Sequence, residues 1–504
     1  MTDLPSGWAF GPLSDFITPR GEKVSPSAFP ELPFIGMDHV EAHTTRILGS
    51  VPASELKSNA ARFFENDVLY GRLRPYLNKV AQPKFDGLAS AEFIIFGGNE
   101  LIFPAFLRHR LNARDFVTFA TSLNAGDRPR VNFEQIGDFE ILVPPLNEQR
   151  RIVEKIEAMC DEIDKGVESL QTARTTLGLY RQSLLKSVFE GRLTADWRAR
   201  NADKLEAPET LLARIQSERD TRYKTALDAW QDALTKWRAS GEKGKKPAKP
   251  KRPTTFPVRL QNLRIELPDL PHGWTWAQLG LCSSGPEYGT AAKSGDTGAV
   301  PVIRMGNLQR GHIDWDNLAF SSDLDEIEKY SLKSGDVLFN RTNSPELVGK
   351  TSIYKGERPA LFAGYLVRVN QIEEIAAGPY LTYFLNSPIA SKHGKSVKTD
   401  GVNQSNINAS KLQEYPFPYC SPAEQAEIVR ILDEKLEAAD ALEAEIDAAL
   451  TRADALRQSI LKKAFSGQLV PQDPKDEPAS VLLERIKAER AKAPKTKKRR
   501  SAHA

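Results

Sequence analysis

The feature that most constrains this chain is a long helical segment that occurs twice. Residues Asn147–Leu193 and Ala423–Leu469 align without a gap, and each residue lies 276 positions from its counterpart. The run RQSLLK that starts at Arg181, for example, returns as RQSILK starting at Arg457. Because a match over about 45 residues indicates an internal duplication, the fold is expected to contain two equivalent parts.

Both copies carry apolar or small residues at alternating spacings of three and four, which predicts a coiled-coil helix. A helix of about 40 residues is about 60 Å long. Ser421, Pro422 and Glu424 predict a capping box at the start of the second copy. Gly191 and Gly467 predict left-handed helix ends. The predicted coiled-coil seam consists of Ile156, Ile163, Leu170, Leu177, Leu184, Leu432, Leu442, Ile446, Leu456 and Ile460.

A globular α/β region with short strands precedes each long helix, and the two regions resemble each other weakly. We call residues 1–143 head 1 and residues 268–420 head 2. Their separation drifts from 266 to 271 residues, which indicates small insertions in loops. The heads are therefore expected to share a plan and to differ in detail. The matching stretches are LPSGW from Leu4 with LPHGW from Leu270, Asn66–Arg72 with Gly335–Arg341, and Val131-Asn132 with Val402-Asn403.

Charge and cysteine content restrict the class of protein. The net charge is only +3, but residues 241–253 hold six Lys or Arg against one Glu, and residues 492–500 hold six and no acid. Such runs are typical of solvated linkers and tails, or of contact with DNA phosphates. Three isolated cysteines without a CxxC motif predict a reducing compartment, the cytoplasm, without disulfides. The first ten residues do not form a signal peptide, and no apolar run is long enough to span a membrane.

Motifs for catalysis are missing from the sequence. The nearest string to the Asn/Asp-Pro-Pro-aromatic pattern of adenine methyltransferases, Val143–Leu146, lacks both the amide and the aromatic ring. Ser344–Thr351 approaches a phosphate-binding loop but lacks the first glycine. His39 and His43 have no third ligand beside them, so a surface pair is favoured over a zinc site. We therefore predict a protein without catalytic residues, metal or cofactor.

The repeated helices, PPLNEQRRIVEKI (Pro144–Ile156) and SPAEQAEIVRIL (Ser421–Leu432), resemble those of the specificity subunits of type I restriction–modification enzymes. The endings FEGRLT and FSGQLVPQDP carry the same resemblance. It implies an α+β fold with a pseudo-two-fold repeat, in which two similar target-recognition domains with small twisted sheets are separated by an antiparallel coiled coil. It also implies a non-catalytic subunit that reads a bipartite, asymmetric site in double-stranded DNA. The implied partners are two modification (adenine methyltransferase) subunits and two ATP-dependent restriction subunits.

On this reading the chain divides into six segments. The chain departs from the resemblance to the family at residues 201–267 of the third segment, a long extension with a basic linker. The segments are target-recognition domain 1 (1–143), the first long helix (144–193), a helical extension and basic linker (194–267), target-recognition domain 2 (268–420), the second long helix (421–467), and a C-terminal helical segment with a basic tail (468–504).

Candidate DNA-binding residues lie in two loops, Ala125–Asn132 and Lys395–Asn406, ahead of the last strand of each head. Base edges are read by Arg, Lys, Asn and Gln, and further basic groups bind phosphates. Arg72 and Arg341 follow matching strands, but an ion pair or a turn explains them equally well. The candidates are Arg72, Arg128, Arg130, Asn132, Arg341, Lys398, Asn403, Gln404 and Asn406.

Two other interpretations remain open at this point. The chain could be a coiled-coil scaffold whose heads bind peptides or proteins, and salt-dependent, sequence-selective DNA binding would distinguish it. A self-sufficient nuclease or methyltransferase is disfavoured because its motifs are missing. The pairs Glu148-Gln149 and Glu424-Gln425 fit helix capping better than contact with a partner subunit.

Overall fold

The computed structural model describes residues 5–250, 252, 263, 265–402 and 404–492. The chain forms two compact units, residues 1–172 with 445–504, and residues 173–444. The first unit contains head 1 and the second contains head 2. Each unit also contains part of both long helices. Within the described part of the chain, no helix is both long enough and apolar enough to cross a membrane.

Head 1 consists of eleven short strands and four helices in its described residues. The strands are β1 (Ala9–Pro12), β2 (Pro19–Arg20), β3 (Lys23–Val24), β4 (Pro33–Ile35), β5 (Val51–Pro52), β6 (Ala60–Phe63), β7 (Val68–Gly71), β8 (Val80–Ala81), β9 (Gly87–Ala89), β10 (Phe93–Phe96) and β11 (Glu140–Val143). The helices are α1 (Leu13–Phe16), α2 (Pro104–Leu111), α3 (Arg114–Ser122) and α4 (Phe133–Ile136).

The strands of head 1 form three small sheets around a buried aromatic core. Their orders are β1-β11, β2-β10-β7-β8 and β3-β6-β9-β4-β5. All pairs are antiparallel except β4 with β9. Phe16, Tyr70, Phe96 and Phe116 are fully buried between the sheets and the helices. The antiparallel pairing of β1 with β11 places the start of the head beside its exit into the long helix.

Helix α5 and the two helices after it lie between head 1 and head 2 along the chain. Helix α5 spans Leu146–Phe189, and it is followed by α6 (Ala195–Arg200) and α7 (Pro208–Ala239). Gly191 has φ 71°, and its amide and that of Arg192 bond to the carbonyls of Val188 and Ser187, which confirms the predicted left-handed helix end.

Head 2 is built from fourteen strands and four helices in the part of it that the structure describes. The strands are β12 (Thr275–Gln278), β13 (Glu287–Tyr288), β14 (Val300–Ile303), β15 (Leu308–Gln309), β16 (His312–Ile313), β17 (Ala319–Ser321), β18 (Val337–Asn340), β19 (Thr342–Asn343), β20 (Thr351–Ile353), β21 (Leu361–Phe362), β22 (Leu366–Arg368), β23 (Thr399–Asp400), β24 (Ser405–Asn406) and β25 (Pro416–Tyr419). The helices are α8 (Leu324–Tyr330), α9 (Gly378–Leu385), α10 (Pro388–Val397) and α11 (Ala409–Gln413), and they precede α12 (Pro422–Phe465) and α13 (Ala479–Lys492).

The two heads share one plan. The first and last strands pair in both, as β1-β11 and β12-β25, and the sheet β2-β10-β7-β8 corresponds to β13-β22-β18-β20. The parallel pair β4-β9 corresponds to β14-β21. Among the residues that the structure describes, only head 2 carries a sheet β19-β24-β23, and β23 and β24 both belong to the loop Lys395–Asn406. The fold is therefore α+β with an internal repeat, as predicted.

Helices α5 and α12 run antiparallel in each unit. In the first unit Ile152, Val153 and Ile156 pack against Ile460, Leu461 and Ala464. In the second unit Leu184, Leu185 and Val188 lie in one core with Ile428 and Leu432. The start of each long helix thus packs against the end of the other, as a coiled coil with antiparallel strands requires.

The predicted seam needs one correction, in α12. Leu442 and Leu456 are about half exposed, at 48% and 50%, and do not belong to the seam. The side that faces α5 instead follows the heptad Leu432, Ala439, Ile446, Ala453 and Ile460, of which Ala453 is half-buried and the others are buried. The sequence prediction preferred the larger leucines three positions further on. The remaining predicted seam residues are buried or half-buried, namely Ile156, Ile163, Leu170, Leu177 and Leu184 in α5 and Leu432, Ile446 and Ile460 in α12.

Two ion pairs repeat across the coiled coil. Arg181 lies 2.7 Å from Asp440 in the second unit, and Arg457 pairs with Asp164 in the first. Both residues of one pair lie 276 positions from those of the other, so the duplication preserved an interhelical contact. Glu443 adds a second carboxylate 3.0 Å from Arg181 and also pairs with Arg310 of head 2, at 2.5 Å. Val167 occupies the position that corresponds to Glu443.

Helix α7, which comes after α5 and α6, and helix α13, which comes after α12, each pack against the head of their own unit. Leu211 and Ile215 of α7 are buried in the core of head 2, and Leu482 and Leu483 of α13 are buried in the core of head 1. Arg219 is 6% exposed, and its Nη1 donates to the carbonyls of Gly280, Leu281 and Ser283 at 2.8–3.2 Å. The echo of LLARI (211–215) in LLERI (482–486) thus marks equivalent packing helices.

Candidate nucleic-acid interface

Each head is fixed to its long helix by the repeated Glu-Gln pair. Gln149 is fully buried. Its Oε1 accepts from the Phe103 amide at 2.8 Å, and its Nε2 donates to the carbonyls of Leu101 and Pro144. Gln425 makes the same three contacts in head 2, with Ala377, Ile375 and Cys420. These glutamines are therefore internal anchors. Burial excludes the disfavoured alternative of a contact with a partner subunit, and the bonds to the head replace the predicted capping role.

The two glutamates differ in how their carboxylates are neutralised. Trp8 Nε1 donates to Glu148 at 3.1 Å, and Trp274 Nε1 donates to Glu424 at 2.8 Å. The Glu424 carboxylate also accepts from Thr194 at 2.7 Å and from Arg198 at 2.6 Å. The second oxygen of Glu148 is buried without a described partner. Burial raises the pKa of Glu148, and the Trp8 hydrogen bond opposes this only in part.

The candidate surface of head 1 consists of Arg72, Glu92, Arg128 and Arg130. Arg72 donates its backbone amide to Glu92 and accepts from the Val131 amide, so its position is fixed by two neighbouring segments. Its Nε is buried without a described hydrogen-bond partner. Arg130 is 58% exposed and pairs with the Glu92 carboxylate at 2.7 Å. Arg128 is exposed at the tip of the loop.

The candidate surface of head 2 consists of Tyr288, Arg341, Tyr365 and Asn406, with Lys398 and Gln404 beside them. Arg341 donates its amide to Tyr365 at 3.0 Å and accepts from the Ile407 amide at 2.9 Å, the same pattern as Arg72. Its guanidinium lies 4.7 Å from the centre of the Tyr288 ring, and its Nε is buried without a described partner. Asn406 donates to Thr342 at 2.7 Å.

The structure corrects the pairing of the two loops. Asn132 begins α4, where its side chain accepts from the Gln135 amide, and Asn408 begins α11, where its side chain accepts from the Lys411 amide. Asn132 therefore corresponds to Asn408 and not to Asn403, and the separation of 276 residues already holds here. Arg130 corresponds in the same way to Asn406. The oxygen of Asn132 is engaged in capping, which leaves only its NH₂ group to donate elsewhere.

The other predicted residues of head 2 are placed as follows. Lys398 is 14% exposed and is held by Asp400 at 2.6 Å and by Ser405, so its charge is already compensated. This lysine in turn lowers the pKa of Asp400. Gln404 is exposed, and its carbonyl accepts from Gly401 in the turn between β23 and β24. Asn403 lies outside the described residues.

Sequence reasoning missed Glu92, Tyr288 and Tyr365. Glu92 and Tyr365 occupy equivalent positions, because each accepts the amide of the matching arginine through its backbone carbonyl. Head 1 thus has an acid where head 2 has an aromatic ring that is 47% exposed. Extending the alignment back from the helices without a gap would have paired Arg130 with Asn406, but Glu92 and Tyr365 lie beyond a loop insertion and carried no such signal.

Metal-ligand groups and disulfides are not found in the described part of the chain. No three His, Cys, Asp or Glu side chains come together there as metal ligands, and His39 instead accepts from the Gly36 amide at 3.0 Å. The three cysteines are free, with Cys282 and Cys420 buried and Cys160 half-buried. Burial raises the pKa of the Cys282 thiol to about 12, so this thiol stays protonated at neutral pH.

The family of the chain follows from comparison with known proteins. The family model for the type I restriction modification DNA specificity domain matches residues 5–170 and again residues 283–452. The chain belongs to this family. Each match begins in or near a head and ends in a long helix, so the two matches reproduce the internal repeat.

Two curated relatives that align over nearly their whole length support the same family. The specificity subunit of the type I restriction enzyme EcoKI from Escherichia coli strain K12 is 24% identical over 97% of this chain and 96% of its own length. The StySPI specificity subunit from Salmonella potsdam is 23% identical with the same coverage. A solved structure from work on the complex assembly and conformational transition of the type I R-M system is similar in fold. Its TM-score is 0.64 at 21% identity, over 93% of this chain and all of that one.

The chain is thus a type I specificity subunit, the non-catalytic component that recognises DNA sequence for methyltransferase and restriction subunits. The scaffold interpretation is set aside by this result. The structure adds the two candidate surfaces, whose arginines are equivalent and whose neighbouring residues are not.

Proposed function

We propose that head 1 and head 2 each read one half of a bipartite, asymmetric site in double-stranded DNA. The observation that carries this proposal is the shared position of Arg72 and Arg341 among unlike neighbours. Glu92 and Arg130 flank the first arginine, and Tyr365 and Asn406 flank the second. Because equivalent surfaces with different side chains present different donors and acceptors to base edges, the two half-sites are expected to differ.

Within each surface we assign one role to the equivalent pair Arg130 and Asn406 and another to the remaining candidates. Arg130 and Asn406 occupy equivalent positions and carry the side chains that most often read guanine and adenine. Arg72, Arg128, Arg341 and Gln404 are assigned to phosphates or neighbouring bases, and Lys398 has weaker support for this role because Asp400 already compensates its charge. Asn132 and Asn403 remain candidates with the least support, because the first caps a helix and the second is not described.

Methylation mapping tests this proposal. The chain is expressed with its modification subunit, and methylated adenines are located by sequencing genomic DNA. Replacing Arg130 with alanine should cost about 1–3 kcal/mol of binding and relax one position in a single half-site. Glu92→Gln is the matched control, because it frees Arg130 without removing it, so the position that Arg130 reads should be kept. An unchanged site and affinity in Arg130→Ala would remove this residue from the interface.

The coiled coil is proposed to set the spacer between the half-sites. Inserting one heptad between Ile163 and Leu177 of α5, with a matching heptad in α12, preserves the seam and adds about 10 Å. The methylated site should then lengthen by about three base pairs with both half-sites unchanged. Methylation at the original spacing would contradict this role.

The assembly is proposed to contain two modification subunits and two restriction subunits around one copy of this chain, in the cytoplasm. The internal repeat supports two equivalent attachment sites per chain. Native mass spectrometry of the co-expressed complex measures this stoichiometry directly.

A further inference from the structure

The second half of α7 extends beyond the part that packs on head 2. Arg219 is its last fully buried residue, and Arg222 pairs with Glu374 at the edge of the head. From there to Ala239 the apolar side chains form a stripe at spacings of four and three. This stripe is half-buried, although no residue of α7 beyond Arg219 is fully buried. Its members are Tyr223, Leu227, Trp230, Leu234 and Trp237.

The basic linker covers this stripe. The chain reverses at Gly241, where φ is 75° and the Gly241 and Glu242 amides bond to the carbonyls of Arg238 and Trp237. Trp237 Nε1 then donates to the Gly244 carbonyl at 3.2 Å, and Trp230 Nε1 donates to the Pro247 carbonyl at 3.1 Å.

These two bonds define the path of the linker. The tryptophans are seven helical residues apart, which is about 10 Å. Their acceptors are three residues apart, which is also about 10 Å for an extended, polyproline-like segment. Residues 244–250 therefore run antiparallel along α7, with a bend at Gly244 and Lys245 and no regular secondary structure after it. Lys246 and Lys249 lie 5.9 and 5.7 Å from the tryptophan rings.

The resulting surface is strongly basic. Residues 236–250, which we call the basic arm, contain six Lys or Arg and one Glu, and all of these charged side chains are exposed. Residues 245–250 consist only of Lys, Pro and Ala. The segment thus offers several ammonium groups on an ordered backbone and no amide side chain that could read a base edge.

We propose that the basic arm binds the phosphates of duplex DNA independently of sequence. It rests on the proposed function only in requiring that the chain binds duplex DNA. Lysines held along α7 by the two tryptophan bonds match a row of phosphates in charge, and proline and these bonds reduce the entropy lost on binding. The arm raises the affinity of the subunit for DNA, and the heads select the sequence.

The test replaces Lys243, Lys245, Lys246 and Lys249 with glutamine in the co-expressed complex with the modification subunit. Binding to a long labelled duplex is measured by fluorescence anisotropy between about 50 and 200 mM salt. Each lost phosphate contact should reduce the slope of log K against log salt by about 0.9, so a reduction of about two to four is expected. Affinity should fall equally for duplexes with and without the methylated site, and the methylated sequence should not change.

Two further variants make the result specific to the arm. Lys462→Gln/Lys463→Gln removes two exposed cations from the end of α12 and should leave the slope unchanged. Trp230→Phe/Trp237→Phe keeps every charge but removes both indole donors, and it should lose part of the affinity. Wild-type binding by the tryptophan variant, or an equal change per lysine in the α12 control, would overturn the proposal.

The remaining outcomes separate this proposal from its alternatives. An unchanged slope in the quadruple variant overturns it, and a simultaneous loss of complex assembly would assign the arm to an acidic protein surface. If the wild-type complex shows no sequence selectivity but the variant still loses slope, the site-reading function fails and the arm stands.

Discussion

The junctions of the two heads with their helices show how one duplicated contact has diverged. Both bury a glutamate against a tryptophan, but Glu424 also receives Thr194 and Arg198, and Glu148 receives neither. The reason lies in the sequence, since the positions that match Thr194 and Arg198 are Val470 and Pro474. The same side chain is therefore part of a buried ion pair in one unit and a buried, half-satisfied acid in the other.

The largest expected effect comes from making both junctions neutral. In Glu424→Gln the new amide must point its NH₂ group at either Arg198 or the Trp274 indole, so two donors face each other. We expect a loss of about 3 kcal/mol in the unfolding free energy of the second unit. Amide hydrogen exchange of head 2 and the start of α12 measures it. Glu148→Gln is the control, because its NH₂ group replaces an oxygen without a described partner. A comparable loss there would show that the two junctions do not differ.

The next effect tests the helices that follow the coiled coil. Arg219→Met removes a buried donor from the carbonyls of Gly280, Leu281 and Ser283, and we expect a loss of about 2 kcal/mol. Amide hydrogen exchange of α7, measured at increasing urea concentrations, reports this loss of free energy. In the first unit Lys487→Met removes an exposed pair with Asp15 and should cost less than about 0.5 kcal/mol. Equal losses of unfolding free energy in Arg219→Met and Lys487→Met would show that the buried contact is no more stabilising than the exposed one.

A smaller effect compares Glu443, which pairs with Arg181 and Arg310 in the second unit, with Asp164, which pairs with Arg457 in the first. Arg310 and Arg181 hold the pKa of Glu443 below its usual range, so this carboxylate contributes stability above pH 4.5 that is lost as the pH falls through its lowered pKa. Glu443→Gln should cost about 1 kcal/mol at neutral pH, whereas Asp164→Asn, at a side chain that is 63% exposed, should cost less than about 0.5 kcal/mol. Thermal unfolding at neutral pH compares them, and the reverse order would refute the distinction.

The smallest expected effect is a pH dependence confined to the first unit. Because burial raises the pKa of Glu148, its contribution to stability is present below the unfolded-state value of 4.5 and is lost as the pH rises through the folded-state pKa. The gain in exchange protection from Glu148→Gln should therefore grow as the pH rises above about 4.5. A gain that is constant with pH would mean that Glu148 does not titrate differently in the folded unit.

Much of the fold was predictable because the relevant signals are local or repeated. Heptad spacing predicted α5, and Gly191 and Gly467, with φ of 71° and 74°, confirm both predicted helix ends. The capping box at Ser421 was half right. Ser421 accepts from the Glu424 amide at 3.3 Å, but the Glu424 side chain turns to Trp274.

The candidate surfaces were predictable only in outline. Residue type and position made Arg130 a candidate, but its ion pair with Glu92 joins segments 38 residues apart and could not be read from the sequence. Asn132 was paired with Asn403 because the dipeptide Val-Asn occurs at both places. Asn132 and Asn408 each cap the start of a short helix, and this shows that they are the equivalent residues. A loop insertion shifts the sequence alignment of the two heads. The backbone hydrogen bonds are needed to show which residues are equivalent.

The sequence by itself determined the duplication, the two long helices and the presence of two related heads, because these depend on periodicity and self-similarity along one dimension. The tertiary structure decided which helix face forms the seam, where Ala439 and Ala453 replace Leu442 and Leu456. It also decided that a basic linker packs along α7. Both depend on contacts between surfaces that are far apart in the chain or follow no repeat, so their free energies are not encoded in any local pattern.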